Sequence, residues 1–165
     1  MLFRSLGTEH VDVREVGRIL ATSTSSHVAE LGERIARKDD REAGYRHFVG
    51  KVDLMCRHQE KWWVFDWKSN HLGNSPADYA TGRLTESMCE DKYVVQYHMY
   101  LAGLHCHLQS RIGKDYDYDR HVGGACYVYL RGLDATAQTG WYVHRPDHVL
   151  VDRLASALRG RRPVR

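Results

Sequence analysis

Residues 51–68 read KVDLMCRHQEKWWVFDWK and predict a β-hairpin, because two segments rich in strand-forming residues flank a short polar stretch. A turn centred on Gln59-Glu60 pairs Asp53 directly with Asp66, with their Cβ atoms roughly 5 Å apart. Lys68 lies two residues further along the same strand, on the same face. The sequence therefore predicts two carboxylates and one ammonium at one place on a sheet.

The pairing of Asp53 with Asp66 brings two like charges together, which destabilises a sheet unless a cation compensates for them. A hard divalent ion such as Mg²⁺ prefers carboxylate oxygens and can supply that charge. We therefore predict a site for one or two Mg²⁺ ions. Taken alone, Asp and Lys residues at alternate strand positions more often form an exposed, solvated strand face, so the rest of the chain has to distinguish the two interpretations.

Length and composition describe a single domain. The chain has 165 residues and a mass of 19.1 kDa, enough for a substantial core. Its net charge of +3 permits binding to a polyanion without demanding it. The four cysteines form no Cys-x-x-Cys pair, so neither a zinc ribbon nor a thioredoxin-like motif is predicted. The sequence shows neither a signal peptide nor an apolar run near the ~20 residues of a membrane span, so we predict a cytoplasmic protein with reduced thiols.

The pattern of apolar residues and turn residues predicts an alternation of helices and strands. Residues 1–26 show little periodicity. Beyond them we expect, in chain order, a helix over 27–38, a strand over 44–49 that leads to Asp53, the hairpin, a loop over 71–77, a long helix over 90–112, strands over 122–130 and 141–144, and a helix over 147–158. This order predicts an α/β or α+β fold with a mixed central sheet.

Three segments occur in the order of the PD-(D/E)XK nuclease motifs: Gly50-Lys-Val-Asp53, Asp66-Trp-Lys68 and Gln96-Tyr-His-Met-Tyr100. The chain resembles in particular the RecB-type nuclease domain of exodeoxyribonuclease V. The resemblance covers roughly residues 44–150. It includes further segments over 66–73, 96–105, 116–119, 123–124 and 129–132. A single Asp-x-Lys triplet is weak evidence, but the ordered set is specific.

The resemblance implies a restriction-endonuclease-like core that hydrolyses DNA phosphodiester bonds with Mg²⁺. By this resemblance Asp53, Asp66 and the backbone carbonyl of Trp67 bind the metal. Lys68 orients or helps to activate the attacking water and steadies the phosphate. A bound metal lowers the pKa of its water and stabilises the charge that develops on the phosphate.

Three more residues are candidates for DNA binding or for support of the site. Gln96 and Tyr100 are four residues apart on the predicted long helix and so share one face. The resemblance directs that face toward the site or the DNA strand, although a purely structural role remains an alternative. Arg131 follows an aromatic strand and is predicted to contact a phosphate.

The resemblance also sets the expected organisation and partners. We expect a partial helical segment over 1–43, a nuclease core over 44–158 and a basic tail over 159–165. The expected substrate is single- or double-stranded DNA ends in double-strand-break repair and recombination. Helicase and recognition subunits of a RecBCD-like complex are the expected partners. The chain lacks the Gly-x-x-x-x-Gly-Lys-Ser/Thr loop of ATPases, so ATP hydrolysis is not expected from these residues.

One departure from the family pattern leaves two alternatives open. RecB-type nucleases carry a further metal-binding histidine after an upstream glycine, whereas Gly7-Thr-Glu-His10 has a different spacing and His10 is a poor substitute. The chain is therefore expected to be the carboxyl-terminal piece of such a domain. It is either a nuclease, acting alone or in an assembly, or a catalytically weak remnant that binds DNA or partner subunits without cleaving.

The segment His105-Cys106-His107 contains three potential metal ligands in a row. Consecutive positions of a helix point about 100° apart, so these three side chains cannot converge on one ion. No joint metal site is predicted there.

Overall fold

A four-stranded mixed sheet forms the centre of the fold, with the segments 54–58, 61–68, 122–129 and 141–144 as neighbours in that order. The computed structural model describes residues 11–38, 45–46 and 51–159. The strands are β1 (Val11–Asp12), β2 (Tyr45–Arg46), β3 (Leu54–His58), β4 (Lys61–Lys68), β5 (Val122–Tyr129) and β6 (Trp141–His144). The helices are α1 (Val13–Leu20), α2 (Ser26–Ala36), α3 (Thr81–Glu90), α4 (Tyr93–Ile112), α5 (Tyr118–His121) and α6 (His148–Leu158). The predicted α/β fold with a mixed sheet flanked by helices is confirmed.

The hairpin has the predicted register. Strands β3 and β4 are antiparallel, and Leu54 pairs with Phe65 at one end while His58 pairs with Lys61 at the other. Gln59 and Glu60 connect them with φ values of 47° and 67°. Two successive left-handed residues are typical of the two-residue hairpin turns whose twist matches that of the flanking strands.

Strand β5 lies beside β4 in parallel orientation, and β6 is antiparallel to β5. Parallel neighbours need a long connection, and here the connection contains α3, α4 and α5. Helix α4 lies on the sheet face that carries the side chains of Val64, Asp66 and Tyr127. The opposite face carries Trp67, which is 43% exposed.

The predicted long helix over 90–112 is observed as α4, and a further helix, α3, precedes it. Helix α4 begins at Tyr93, and Lys92 with a φ of 61° separates it from α3. The prediction placed the helix start at 90 and missed α3, because the polar sequence of α3 has no clear apolar stripe. Its buried residues Leu84 and Met88 lie four apart and are the signal that was available. The predicted loop over 71–77 is largely correct, with a short 3-10 helix over Pro76–Tyr79 at its end.

Helix α1 was also absent from the prediction, which saw little periodicity before residue 27. Its buried Val16, Ile19 and Leu20 have helical spacing. It packs closely on α2 at two glycines: a Cβ on Gly17 would lie 2.5 Å from the Ala36 nitrogen, and one on Gly32 would lie 2.3 Å from the Ala21 nitrogen. The two helices touch through their backbones at this point.

A cluster of histidine and tyrosine side chains joins α2, α4 and β6. His27 Nε2 lies 2.9 Å from Tyr142 Oη, and Tyr97 Oη lies 2.9 Å from His144 Nδ1. His98 is fully buried, and its Nδ1 lies 2.7 Å from the Val94 carbonyl oxygen. Burial lowers the pKa of His98 to about 3 and that of His144 to about 4.

No helix in the described part of the chain is long and apolar enough to cross a membrane. Most of the predicted strand over 44–49, His10 and most of the basic tail lie outside the described residues. The predicted segment boundaries at 43 and 158 stay predictions.

We expect Gly32→Ala to lower the free energy of unfolding by roughly 1–3 kcal/mol, because the added methyl group meets the α1 backbone. Gly82→Ala is the matched control, since a Cβ at Gly82 on α3 has no neighbour within 4 Å. Urea unfolding of both variants checks this. Equal stability of the two variants would contradict the backbone contact.

We expect the free energy of unfolding to fall as the pH drops from 7 to 5, by up to about 1.4 kcal/mol per pH unit for His98. The unfolded chain takes up a proton near pH 6.5, whereas folded His98, with its pKa lowered to about 3, does not. Urea unfolding across this pH range should show a flatter slope for His98→Gln. A slope for His98→Gln as steep as that of the wild type would contradict this prediction.

Candidate active site

Asp66 and Lys68 form a buried ion pair near the carboxyl end of β4. Their exposed fractions are 4% and 9%, and Lys68 Nζ lies 2.5 Å from Asp66 Oδ2. Asp66 and Lys68 lie on either side of Trp67 in the strand, so their side chains point to the same sheet face, the one that α4 covers. Buried charges are normally paired, and each residue here supplies the counter-charge for the other.

Asp53 lies one residue before β3, at the position that continues the hairpin register toward Asp66. It is exposed, and its Oδ2 accepts a hydrogen bond of 3.0 Å from the Trp67 backbone nitrogen. The hairpin thus brings Asp53, Asp66 and Lys68 to one place, as the sequence predicts. The side chain of Asp53 is fixed by the strand that carries the other two.

The electrostatic field at Asp66 favours a bound cation. Burial raises the pKa of the Asp66 carboxyl above its usual range, the hydrogen bond and charge of Lys68 oppose that shift, and the charge of Asp53 adds to it. The carboxylates of Asp53 and Asp66, with the single ammonium of Lys68, leave a net negative charge in a partly desolvated site. Hard divalent cations bind such oxygen donors, so Asp53 and Asp66 suit Mg²⁺ as ligands.

Aromatic rings and an amide surround the Lys68 ammonium. Its Nζ lies 3.7 Å from the centroid of the Tyr93 ring and 5.0 Å from that of Tyr127. It also donates a hydrogen bond of 3.3 Å to Gln96 Oε1. Cation–π contacts and the hydrogen bond offset the loss of hydration when Lys68 is buried.

Gln96 and Tyr100 connect Lys68 to the start of the hairpin. Gln96 Nε2 donates to Tyr100 Oη at 2.9 Å, and Tyr100 Oη donates to the Lys51 carbonyl oxygen at 2.9 Å. Tyr127 Oη donates to Gln96 Oε1 at 2.9 Å. Because the Lys51 carbonyl can only accept, the direction of every bond follows from it, and Gln96 is held with its oxygen toward Lys68.

Tyr93 and Tyr127 contact the site but were not among the predicted site residues. The sequence carried a signal for Tyr93, whereas the position of Tyr127 depends on strand pairing. Tyr93 precedes Gln96 by three residues on α4, and Tyr127 occupies a strand position in register with Asp66. This register depends on the parallel pairing of β4 and β5, which the sequence did not reveal.

Arg131 lies apart from this network. It is exposed, and its Nε donates a hydrogen bond of 2.8 Å to the Ser69 carbonyl oxygen, one residue after Lys68. Arg131, His71 and Asn74 help to line an open cavity of about 430 Å³. This cavity lies beyond the carboxyl ends of the parallel strands β4 and β5, which is where open α/β sheets commonly bind ligands.

The chain has clear relatives among known proteins, although no protein-family model matches it. The RecBCD enzyme subunit RecB of Escherichia coli (strain K12) is 39% identical over 62% of this chain, and that of Haemophilus influenzae is 40% identical over 64%. The RecB subunit of Mycobacterium tuberculosis (strain H37Rv) is 33% identical over 92% of the chain.

The chain matches only a small part of each relative, 9% of the first two subunits and 15% of the third. The aligned identity is nevertheless well beyond what unrelated sequences share. RecB subunits are therefore homologues of this chain, and the predicted resemblance to RecB is confirmed over that part of their length.

Proposed function

We propose that this chain is a Mg²⁺-dependent DNA nuclease module that hydrolyses phosphodiester bonds at DNA ends in double-strand-break repair. The observation that carries the proposal is the buried Asp66–Lys68 pair with Asp53 beside it, in a chain whose homologues are RecB subunits. A buried acid with a raised pKa beside a specific charge partner is characteristic of functional sites.

Asp53 and Asp66 would hold the metal, together with the backbone carbonyl of Trp67. When bound, the metal would supply an activated water and stabilise charge on the phosphate. The network from Lys51 through Tyr100 and Gln96 keeps the Lys68 ammonium in place beside Asp66. An ammonium has three donors, and Asp66 and Gln96 take two of them. The third can orient the attacking water or a phosphate oxygen.

Arg131 would contact the DNA strand next to the reacting phosphate. Its Nε is bonded to the Ser69 carbonyl, which fixes the guanidinium at the rim of the cavity beyond β4. Arginine guanidinium groups match phosphate oxygens in charge and geometry. The mildly positive chain adds a weak general attraction to a polyanion.

The proposal extends to an assembly. The homologues are named as subunits of the RecBCD enzyme, and this chain matches 9–15% of their length. We propose that the module acts beside helicase and recognition subunits of a RecBCD-like complex. A chain that cuts DNA without such partners would instead be a stand-alone nuclease.

Asp66→Asn and Lys68→Ala are expected to slow Mg²⁺-dependent cleavage of linear DNA by roughly 100-fold or more. The first substitution removes a charged metal ligand, and the second removes the positive charge beside the reacting phosphate. Gel assays with single- and double-stranded substrates measure this. EDTA should stop cleavage by the wild type. Asp115→Asn and Lys114→Ala, at exposed positions of a short 3-10 helix, are matched controls that should cleave at the wild-type rate.

Circular dichroism first establishes that each variant is folded. A folded wild type that shifts DNA on a gel without degrading it would refute the nuclease proposal. It would favour the binding remnant instead.

Gln96→Ala is expected to slow cleavage by about 10- to 100-fold, less than Lys68→Ala, because Gln96 positions the ammonium without carrying charge itself. Tyr100→Phe removes the anchor to the Lys51 carbonyl and should have a smaller effect in the same direction. Single-turnover rates with saturating DNA measure both. Wild-type rates in Gln96→Ala would show that Lys68 needs no positioning partner.

A further inference from the structure

A second group of potential metal ligands lies between α4 and α6. His105 on α4, with His148 and Asp152 on α6, place one ligand atom each within 4.8 Å of one another. His105 follows Gln96 by nine residues on α4, which is roughly 14 Å along the helix axis. The group is therefore separate from the Asp53 and Asp66 carboxylates.

His105 differs from ordinary surface polar residues because its side chain is buried. Its side chain is fully buried, and its Nε2 makes no hydrogen bond in the described part of the chain. That nitrogen lies 3.4 Å from Asp152 Oδ1. A buried polar atom whose nearest partner lies beyond the usual hydrogen-bond distance has room for a further ligand or a water.

The ring of His105 is held in position from its other side. Its Nδ1 lies 2.8 Å from Tyr116 Oη. When Nδ1 donates to this hydroxyl, the neutral ring has its lone pair on Nε2, which faces His148 and Asp152. Metal-binding histidines usually have such a second partner, which fixes both the tautomer and the ring orientation.

The two ligands on α6 share one helix face. His148 is the first residue of α6 and Asp152 follows it by four positions, so their side chains are neighbours. The His148 ring stacks on Tyr118 with an interplanar angle of 12°. Tyr118 Oη in turn donates to the Pro146 carbonyl oxygen, which ties this stack to the segment that leads into α6.

His105 and Asp152 have the spacing of two ligands around a tetrahedral ion. Ligand atoms around zinc with bonds of ~2.0–2.1 Å are roughly 3.3 Å apart, close to the 3.4 Å between His105 Nε2 and Asp152 Oδ1. His148 and Asp152 are exposed, so their side chains can adjust to the ion without disturbing the core. Two imidazoles with one carboxylate favour Zn²⁺ over Mg²⁺ or Ca²⁺, which prefer oxygen alone.

We propose that His105, His148 and Asp152 bind a Zn²⁺-type transition-metal ion that cross-links α4 to α6. Three protein ligands leave a fourth position for water. The ion satisfies the buried nitrogen of His105 and joins two helices that pack side by side.

The test is zinc binding to the whole chain by competition with a chromophoric chelator, with Mg²⁺ in excess to occupy the carboxylate site. The wild type should bind one Zn²⁺ per chain. His148→Ala and Asp152→Asn should each weaken binding by about tenfold or more, and Tyr116→Phe should weaken it by about 10- to 100-fold. Both ligand substitutions are at exposed positions, so the variants are expected to fold.

Two controls separate this site from others. His58→Ala removes an exposed histidine on the hairpin, and Asp53→Asn removes a carboxylate of the candidate active site; both should retain wild-type zinc affinity. Thermal unfolding should show stabilisation by Zn²⁺ in the wild type and in His58→Ala but not in His148→Ala. Absence of zinc binding, or wild-type affinity in His148→Ala and Asp152→Asn, would overturn the proposal. Neither result depends on DNA cleavage.

Discussion

The buried ion pair between Asp66 and Lys68 is the constraint on which the rest of the candidate active site depends. Two charges lose most of their hydration at this place, and their mutual attraction repays that loss only when further contacts satisfy them. Here Gln96, Tyr93 and Tyr127 provide those contacts. The positions of helix α4 and strand β5 are therefore constrained. Moving either element away from β4 would remove contacts that compensate for the buried charge of Lys68.

The hairpin adds the second carboxylate by a purely local mechanism. The turn at Gln59-Glu60 fixes the register of β3 against β4, and this register places Asp53 beside the backbone of Trp67. A shift of one residue would move alternate side chains to the other face of the sheet. Parallel pairing of β4 with β5 prevents such a shift, since it holds Lys68 opposite Tyr129.

Helix α4 serves two regions of the molecule. Its first turns carry Tyr93, Gln96 and Tyr100 to the carboxylates, whereas its later turns carry His105 toward α6. A helix of 20 residues is about 30 Å long, so one rigid element spans both places. The small α1–α2 unit packs at the glycine contact and extends the same core through Val16 and Val28.

The sequence by itself determined the hairpin, its register and the meeting of Asp53, Asp66 and Lys68, because strand alternation and a two-residue turn are local rules. It also determined that Gln96 and Tyr100 share one face of a helix, because helical spacing is another local rule. Only the tertiary structure decided which residues surround these side chains. Tyr127 reaches Gln96 through a parallel pairing of distant strands, and His105 meets His148 and Asp152 through the packing of two helices. Such contacts depend on how elements far apart in the chain bury their apolar faces together, and no local pattern specifies that arrangement.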